Sequence, residues 1–260
     1  METPHSKDHA DKIVKRFTET AVSFGEVSAH TNEESLQHLI RAAQVSPEDT
    51  LLDVACGPGI VACAFAGHVK HVTGVDVTPA MIDQARARQK ERGHTNMTWD
   101  SANLPPLPYA DGSFSRVISR YAFHHFLEPE KVLQDMVRVC RPGGRVVVAD
   151  VYSSEDPAKS MAYNHLEKLR DSSHTWIQPV TALSTMVQSA GLKDVKTTYY
   201  RIEVEMEEQL KASCTPPEEA ESFRRLLAED LGKDVMGTGA VRKGDQIHFY
   251  YPIVVLSGER

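Results

Sequence analysis

Residues 51–59 read Leu-Leu-Asp-Val-Ala-Cys-Gly-Pro-Gly, an apolar strand that ends in an acid and then breaks into a turn of small residues. A second apolar strand ends in the same way, in Gly74-Val75-Asp76-Val77. In an open α/β sheet, ligands bind in the crevice outside the carboxyl ends of the parallel strands. The two strands therefore predict a nucleoside site that contains Asp53 and Asp76.

The charge of Asp53 separates two candidate ligands. Gly57, Gly59 and Ala62 also fit the relaxed dinucleotide fingerprint. In a dinucleotide site the pyrophosphate lies over the glycine turn, where the carboxylate of Asp53 would repel it. S-adenosylmethionine has no phosphate, and the same carboxylate would attract its sulfonium and ammonium groups. Asp76 can then accept hydrogen bonds from both ribose hydroxyls, so the pattern favours S-adenosylmethionine.

Further motifs follow in a fixed order along the chain. They are Val75-Asp76-Val77, then Asp100-Ser101-Ala102 before Leu104-Pro105, then Arg141-Pro142-Gly143-Gly144 before an apolar strand. With residues 51–59, this series resembles the class I S-adenosylmethionine-dependent methyltransferases, and most closely their ubiquinone/menaquinone methyltransferase-like group. The resemblance is strong over residues 45–155. It implies S-adenosylmethionine as methyl donor and S-adenosylhomocysteine as product, and it leaves the substrate open.

Two residues depart from the family pattern. Ala55 stands where the family often has its first glycine, and Ser115 stands where an aspartate usually follows Phe114. Alanine is nearly as small as glycine, and Ser115 lies at a strand start, so we expect neither departure to affect cofactor binding.

The cofactor contacts are assigned to the glycine turn and to the ends of the neighbouring strands. Asp100 is expected to accept the adenine amino group, with an ordinary loop acid as the alternative. Arg120, which follows the fourth strand, would hold the methionine end by its backbone or its charge. The full set is Asp53, Ala55, Gly57, Gly59, Asp76, Val77, Met81, Asp100, Ser101, Ala102 and Arg120.

Helix and strand alternate regularly in the middle of the chain, which predicts a doubly wound, mostly parallel seven-stranded α/β sheet. Strict alternation of polar and apolar residues over 200–206, with a further strand at 246–256, predicts an antiparallel C-terminal strand pair. Helical periodicity is expected at 8–24, 32–44, 157–171, 180–190 and 216–231. We expect one methyltransferase domain with an N-terminal helical cap (1–45), a cofactor-binding core (46–155) and substrate-cap helices with C-terminal strands (156–260).

Composition narrows the class of partner. The 260 residues are 41% hydrophobic with a formal net charge of −7, and no run of Lys or Arg suits a nucleic-acid backbone. No apolar stretch has the length of a signal or a membrane span, so we expect a cytoplasmic protein without membrane attachment. Its four cysteines lack paired spacing, which argues against disulfide or metal roles. The expected partner is a small-molecule acceptor, and a monomer and a homodimer both remain open.

The fourth strand leads into residues 119–126, at the edge where the ligand crevice should lie. They lack the Asn/Asp-Pro-Pro-Tyr run of adenine and glutamine methyltransferases and the Pro-Cys dipeptide of pyrimidine methyltransferases. Neutral imidazole is well matched to removing a proton near pH 7. The resemblance places His124, rather than His125, toward the acceptor. Alternatively, both histidines cap or pack the following helix.

Polar residues form one stripe on the helix expected at 157–171. At about 100° per residue, Asn164, Glu167, Asp171 and His174 share a face, with Arg170 at its border. The stripe is either a solvated face or a substrate-contacting face. In the second case Asp171 would orient His174 or raise its pKa, and Arg170 would bind a substrate carboxylate. A metal site on this single helix is disfavoured because one helix rarely supplies three well-placed ligands, so no metal is expected.

These observations predict in-line methyl transfer to an oxygen or carbon, less readily a nitrogen, of a small aromatic or lipophilic metabolite. The expected catalytic residues are His124, Asp171 and His174. The expected substrate contacts are Phe24, Tyr121, His125, Asn164, Glu167, Arg170 and Trp176. Phe17, Phe24, Tyr121 and Trp176 would form an apolar lid, or else belong to the core. The alternatives are an enzyme of this fold that catalyses a reaction other than methyl transfer, and a non-catalytic cofactor-binding protein.

Overall fold

A computed structural model describes residues 4–21 and 32–260, with side chains from residue 8. The strands are β1 (Thr50–Val54), β2 (His71–Asp76), β3 (Met97–Ser101), β4 (Phe114–Arg120), β5 (Cys140–Val151), β6 (Lys193–Glu205), β7 (Val241–Lys243) and β8 (Gln246–Glu259). The helices are α1 (Pro4–Glu19), α2 (Glu33–Ala43), α3 (Ile60–Phe65), α4 (Pro79–Arg92), α5 (Pro129–Val139), α6 (Pro157–Arg170), α7 (Val180–Ser189), α8 (Met206–Ala212) and α9 (Pro217–Asp230). A 3₁₀ turn covers Phe123–His125.

The strands form one mixed sheet in the order β3-β2-β1-β4-β5-β8-β6, with β7 paired to β8. Pairing is parallel from β3 to β5 and antiparallel where β8 meets β5 and β6. The predicted doubly wound sheet with an antiparallel C-terminal pair is confirmed. The short strand β7 was not expected; it forms a hairpin with β8 around Gly244-Asp245, and its three exposed residues carry no alternating pattern.

Apolar residues cover both faces of the sheet. Leu52, Val117 and Val148 face α5 and α7 on one side. On the other side, their neighbours in sequence, such as Leu51 and Ile118, face α2, α3 and α4. Successive strand residues point to opposite faces, so a strand buried on both faces is apolar throughout.

The C-terminal third adds a third apolar cluster, which α6 and α9 form with β6 and β8. The helices expected at 157–171, 180–190 and 216–231 are present within one residue of those bounds. Strand β6 begins at Lys193, seven residues before the expected 200, because it pairs along most of β8. Among the described residues, no helix combines the length and apolar character needed to cross a bilayer.

The parallel strands end at one edge of the sheet. There Asp53 of β1, Asp76 of β2 and Arg120 of β4 line the same crevice, and Asp150 lies near the end of the adjacent strand β5. The site is therefore assembled from strand ends that the apolar core holds in register.

Candidate active site

A cavity at the ends of β1, β2 and β4, here called the turn cavity, follows the glycine turn. It is lined by Phe17, Asp53, Ala55, Cys56, Gly57, Pro58, Ile60, Val61, Asp76, Met81, Arg120, Tyr121, Ala122 and His125. Six of the expected cofactor residues are in this set. The other five do not line the cavity: Gly59 is in the turn, Val77 follows β2, and Asp100, Ser101 and Ala102 lie at the end of β3.

Asp76 holds the glycine turn in place. Its carboxylate accepts the backbone N–H of Gly57 at 2.9 Å and that of Thr78 at 2.8 Å. Gly57 has a φ of +51°, and a Cβ added to it would meet no atom within 4 Å. The turn thus leaves open space beside the cavity, where a ligand can approach the backbone closely.

Buried acids give the turn cavity a cation-attracting character. Asp53 is 1% exposed, and burial raises the pKa of its carboxyl to about 7 against the opposing effects of Arg120 and of the Ala62 N–H, which it accepts at 3.0 Å. Burial also raises the pKa of Asp76. A cationic ligand would stabilise the ionised form of both groups. Arg120 adds a cation for an anionic ligand group, so the cavity fits the mixed charges of S-adenosylmethionine.

A second cavity, here called the cap cavity, lies between β4, α6, α8 and the C-terminal strands. It is lined by Tyr121, His124, His125, Val151, Glu167, Arg170, Asp171, Ile202, Gln209, Ala212, Ser213, Tyr251 and Ile253. Tyr121 and His125 line both cavities. The turn cavity and the cap cavity therefore meet at these two side chains, which is the arrangement that a group transfer between two bound molecules requires.

His124 is held by a carboxylate that the sequence did not single out. Its backbone N–H donates to Asp150 Oδ2 at 3.0 Å, and its Nδ1 lies 2.7 Å from Asp150 Oδ1. Both residues are buried. The available signal was an acid at the end of the apolar strand β5, which pairs with β4 next to His124.

The comparisons with known proteins agree with this geometry. A family model described as a methyltransferase domain matches residues 52–148. The uncharacterized methyltransferase YcgJ of Bacillus subtilis is 27% identical over 244 residues, which is 93% of this chain and 96% of YcgJ. Its crystal structure has a TM-score of 0.82 at 26% identity and covers 88% of this chain and 99% of the other.

The methyltransferase-domain match and the likeness to YcgJ support a class I S-adenosylmethionine-dependent methyltransferase. The ubiquinone/menaquinone biosynthesis C-methyltransferase UbiE of Bdellovibrio bacteriovorus is 34% identical over 128 residues, 48% of this chain and 54% of that protein. That match covers only part of each chain, whereas the likeness to YcgJ extends over nearly the whole length.

The two departures from the family pattern have structural explanations in this methyltransferase. Ala55 has a φ of +56°, in the left-handed region that glycine adopts most readily, which explains the family's frequent glycine there. Ser115 exchanges hydrogen bonds with Thr50 at the opposite end of β1 from Asp53. Ser115 therefore joins two strand starts and does not contact the turn cavity.

In this methyltransferase, Gly59 and Asp100 contact protein groups near the glycine turn. A Cβ on Gly59 would lie 2.7 Å from the Trp99 ring and 2.9 Å from Ala85 Cβ, so this glycine permits close helix packing. Asp100 accepts the Tyr109 hydroxyl at 2.8 Å. Ala102 donates its N–H to the Asp76 carbonyl, which ties the end of β3 to β2. The adenine contact of Asp100 stays a prediction.

The polar stripe on α6 is not solvated. Glu167 is 2% exposed. Its Oε2 accepts hydrogen bonds from Nε and Nη2 of Arg170 at 2.9 and 2.7 Å. Its Oε1 accepts one from the Tyr251 hydroxyl at 3.2 Å. Arg170 Nη1 donates to Ser213 Oγ at 2.9 Å. The solvated-face alternative is wrong, and the guanidinium expected to bind a substrate carboxylate already has Glu167 as its partner.

The expected pairing of Asp171 with His174 is wrong. Asp171 Oδ1 accepts the N–H and hydroxyl of Ser173 at 2.9 and 2.6 Å, whereas His174 Nε2 lies 2.9 Å from Asn164 Oδ1. Burial, aided by the neighbouring histidines, lowers the pKa of His174 to about 2, opposite to the expected direction. Helical geometry does not predict the positions of Asp171 and His174 because α6 ends at Arg170. No group among the described residues has the arrangement of a metal site.

The expected aromatic lid is formed only in part. Phe17 lines the turn cavity and packs edge-on against His125, with ring centroids 5.2 Å apart. Trp176 is 41% exposed and lines neither cavity, whereas the next residue, Ile177, is buried. Phe24 lies outside the described residues.

Proposed function

We propose that this methyltransferase transfers the methyl group of S-adenosylmethionine to an oxygen or carbon of a small aromatic or lipophilic metabolite in the cap cavity. The observation that carries the proposal is the position of His124. Its side chain lines that cavity, and its Nδ1 contacts the carboxylate of Asp150. When bound, S-adenosylmethionine supplies an electrophilic methyl carbon. The protein then has to align the acceptor, exclude water and remove a proton.

The contact with Asp150 determines which nitrogen of His124 is available as a base. A carboxylate near neutral pH accepts hydrogen bonds and does not donate them, so His124 Nδ1 carries the hydrogen. Nε2 then keeps its lone pair and can accept the proton of the acceptor. The negative charge of Asp150 stabilises the imidazolium that results, as a carboxylate does in hydrolase triads.

The lining of the cap cavity supports a small, partly apolar acceptor. Val151, Ile202 and Ile253 contribute aliphatic surface, and Tyr121 and Tyr251 contribute aromatic rings. The cavity volume of about 60 Å³ has room for roughly four to six water-sized groups. Arg170 and Glu167 on its wall neutralise each other.

The test is release of S-adenosylhomocysteine by Asp150→Asn and His124→Gln variants, with a panel of phenols and enolisable ketones as acceptors. We expect kcat to fall about 100- to 10,000-fold in both variants with the affinity for S-adenosylhomocysteine unchanged. His165→Gln, on the exposed side of α6, is the matched control. Full turnover in Asp150→Asn would refute His124 as the base. Conversion of an acceptor without S-adenosylhomocysteine formation would indicate a reaction other than methyl transfer.

A further inference from the structure

Two histidines stand side by side on the wall of the cap cavity. The ring centroids of His124 and His125 are 4.3 Å apart, with the ring planes inclined by 44°. Both side chains are buried within the fold and both line the cavity. A molecule in the cap cavity therefore meets two imidazoles at once.

The hydrogen-bond partners of both rings define their tautomers. His125 Nδ1 lies 3.2 Å from the carbonyl oxygen of Ser173, which can only accept, so Nδ1 carries the hydrogen. The same holds for His124 Nδ1 against Asp150. Each ring is thus left with a lone pair on Nε2, which can accept a hydrogen bond.

The charge state of His125 supports this assignment. Burial is the main cause that lowers the pKa of His125, to about 3, with the neighbouring His124 adding to it. The ring is therefore neutral near pH 7, and its Nε2 acts there as an acceptor. His124 and His125 together present two adjacent acceptors to the cavity.

The charged groups beside these rings have partners of their own. Glu167 is paired with Arg170, and Asp171 contacts Arg16 at 3.4 Å. His174, behind His124, donates its Nε2 hydrogen to Asn164 and has a buried Nδ1 without a partner among the described residues. An anionic acceptor would meet lone pairs here, whereas a neutral molecule with hydrogen-bond donors would satisfy them.

We infer that the acceptor is a small neutral molecule with two adjacent hydroxyl groups, one facing Nε2 of His124 and the other facing Nε2 of His125. The inference rests on the proposed function and narrows its substrate class to vicinal diols, of which catechol is the simplest aromatic member. His125 is then a specificity-determining residue and His124 the base.

The transfer step balances with these groups alone. The hydroxyl oxygen facing His124 gains the methyl carbon as the sulfur–carbon bond breaks, and its proton passes to His124 Nε2. The products are a monomethyl ether and S-adenosylhomocysteine. The second hydroxyl keeps its hydrogen bond to His125, so a phenol with one hydroxyl would leave a buried acceptor unpaired, a defect that lowers affinity at least tenfold.

The experiment is calorimetric titration of the S-adenosylhomocysteine-loaded protein with catechol, phenol, 2-methoxyphenol and salicylate. We expect catechol to bind at least tenfold more tightly than each of the others. In His125→Phe, catechol and phenol should bind equally, whereas His165→Gln should keep the preference. Catechol that binds no more tightly than phenol, or no binding by any of them, overturns the inference.

Nitrogen NMR of the wild-type imidazoles provides a readout that does not depend on a variant folding. Nδ1-protonated signals are expected for His124 and His125 and an Nε2-protonated signal for His174, with catechol shifting Nε2 of the first two. An Nε2-protonated His125 would also overturn the inference. If a phenol with one hydroxyl is methylated in a His124-dependent reaction while catechol shows no preference, the inference fails and the proposed function stands.

Discussion

Burial changes the acid–base chemistry of Asp53. A carboxyl whose pKa is raised to about 7 is largely protonated at pH 6 and ionised at pH 8. Only the ionised form attracts the cationic groups of the methyl donor, so binding releases a proton wherever the free carboxyl is protonated. Asp53 therefore couples cofactor affinity to pH in the neutral range.

We predict that the Kd for S-adenosylmethionine rises about tenfold for each pH unit below about 7 and levels off above it. Asp53→Asn should remove this dependence and weaken binding at pH 8 by about 10- to 100-fold, since it removes a charge-assisted contact. Calorimetric titration from pH 5.5 to 8.5 measures both effects. Asp83→Asn, an exposed acid on α4, should behave as wild type. A pH-independent Kd in the unaltered protein would contradict the assignment.

At the scale of elements, the turn between β1 and α3 contains two glycines with different tasks. Both have a positive φ, so an alanine at either position has a cost of about 1–2 kcal/mol in backbone strain. Only Gly59 is also packed against neighbours, the ring of Trp99 and Ala85. Gly57 instead borders open space in the turn cavity.

Alanine substitutions should separate these tasks. Gly59→Ala is expected to lower the free energy of unfolding by about 1–3 kcal/mol more than Gly57→Ala, because its Cβ overpacks the helix contact. Gly57→Ala is expected to weaken S-adenosylhomocysteine binding more than stability, because its Cβ enters the ligand's space. Urea unfolding and calorimetry of both variants test this. Equal stability losses would show that the Trp99 contact relaxes without cost.

The side chain of Arg16 connects helix α1 to the residues at the end of α6. Arg16 donates from Nη2 to the Arg170 carbonyl at 3.0 Å and lies 3.4 Å from the Asp171 carboxylate. Burial alone would raise the pKa of Asp171, but His125, Arg170 and Arg16 outweigh it and hold that pKa well below its usual range. Arg16 thus links α1 to the segment that follows α6.

Replacing Arg16 with alanine should loosen this helix. The buried carboxylate of Asp171 loses a cation and the Arg170 carbonyl loses a donor, so the free energy of unfolding should fall by about 1–3 kcal/mol. Hydrogen exchange of the α1 amides should accelerate. Lys15→Ala, on the exposed side of the same helix, is the control. Unchanged exchange in Arg16→Ala would mean that other contacts hold α1.

For the whole molecule, we propose a single methyltransferase domain that spans residues 1–260. The support is the pairing of β8 with β5 in one sheet, which joins the C-terminal third to the cofactor core. The apolar clusters on the two faces of the sheet each contain residues of β8 together with residues of the cofactor-core strands. We therefore expect the molecule to unfold cooperatively.

Scanning calorimetry should show one transition that S-adenosylhomocysteine shifts upward. At 100 times its Kd a ligand stabilises the native state by about 2.7 kcal/mol, which for a chain of this size corresponds to a rise in Tm of about 5–10 °C. NAD should produce no shift, because Asp53 would repel its pyrophosphate. Two transitions, with the ligand shifting only one, would contradict the single-domain proposal.

The strand-end acids were predictable because their positions depend on local pattern. Asp53 and Asp76 follow apolar runs, and parallel strands place their carboxyl ends at one edge. The predicted pairing of Asp171 with His174 was wrong because it assumed that the helix continues past Arg170, where α6 ends. Asp150 was missed because its role depends on β5 lying next to β4.

The sequence by itself determined the sheet, the glycine turn and the methyl donor, since apolar periodicity, turn residues and the charge of Asp53 are all local features. Only the tertiary structure decided the cap cavity. Its walls come from residues far apart in the chain, such as Tyr121, Arg170 and Tyr251, and its histidine tautomers depend on acceptors that folding brings near. Contacts between distant segments arise from packing the whole core, so no short stretch of sequence encodes them.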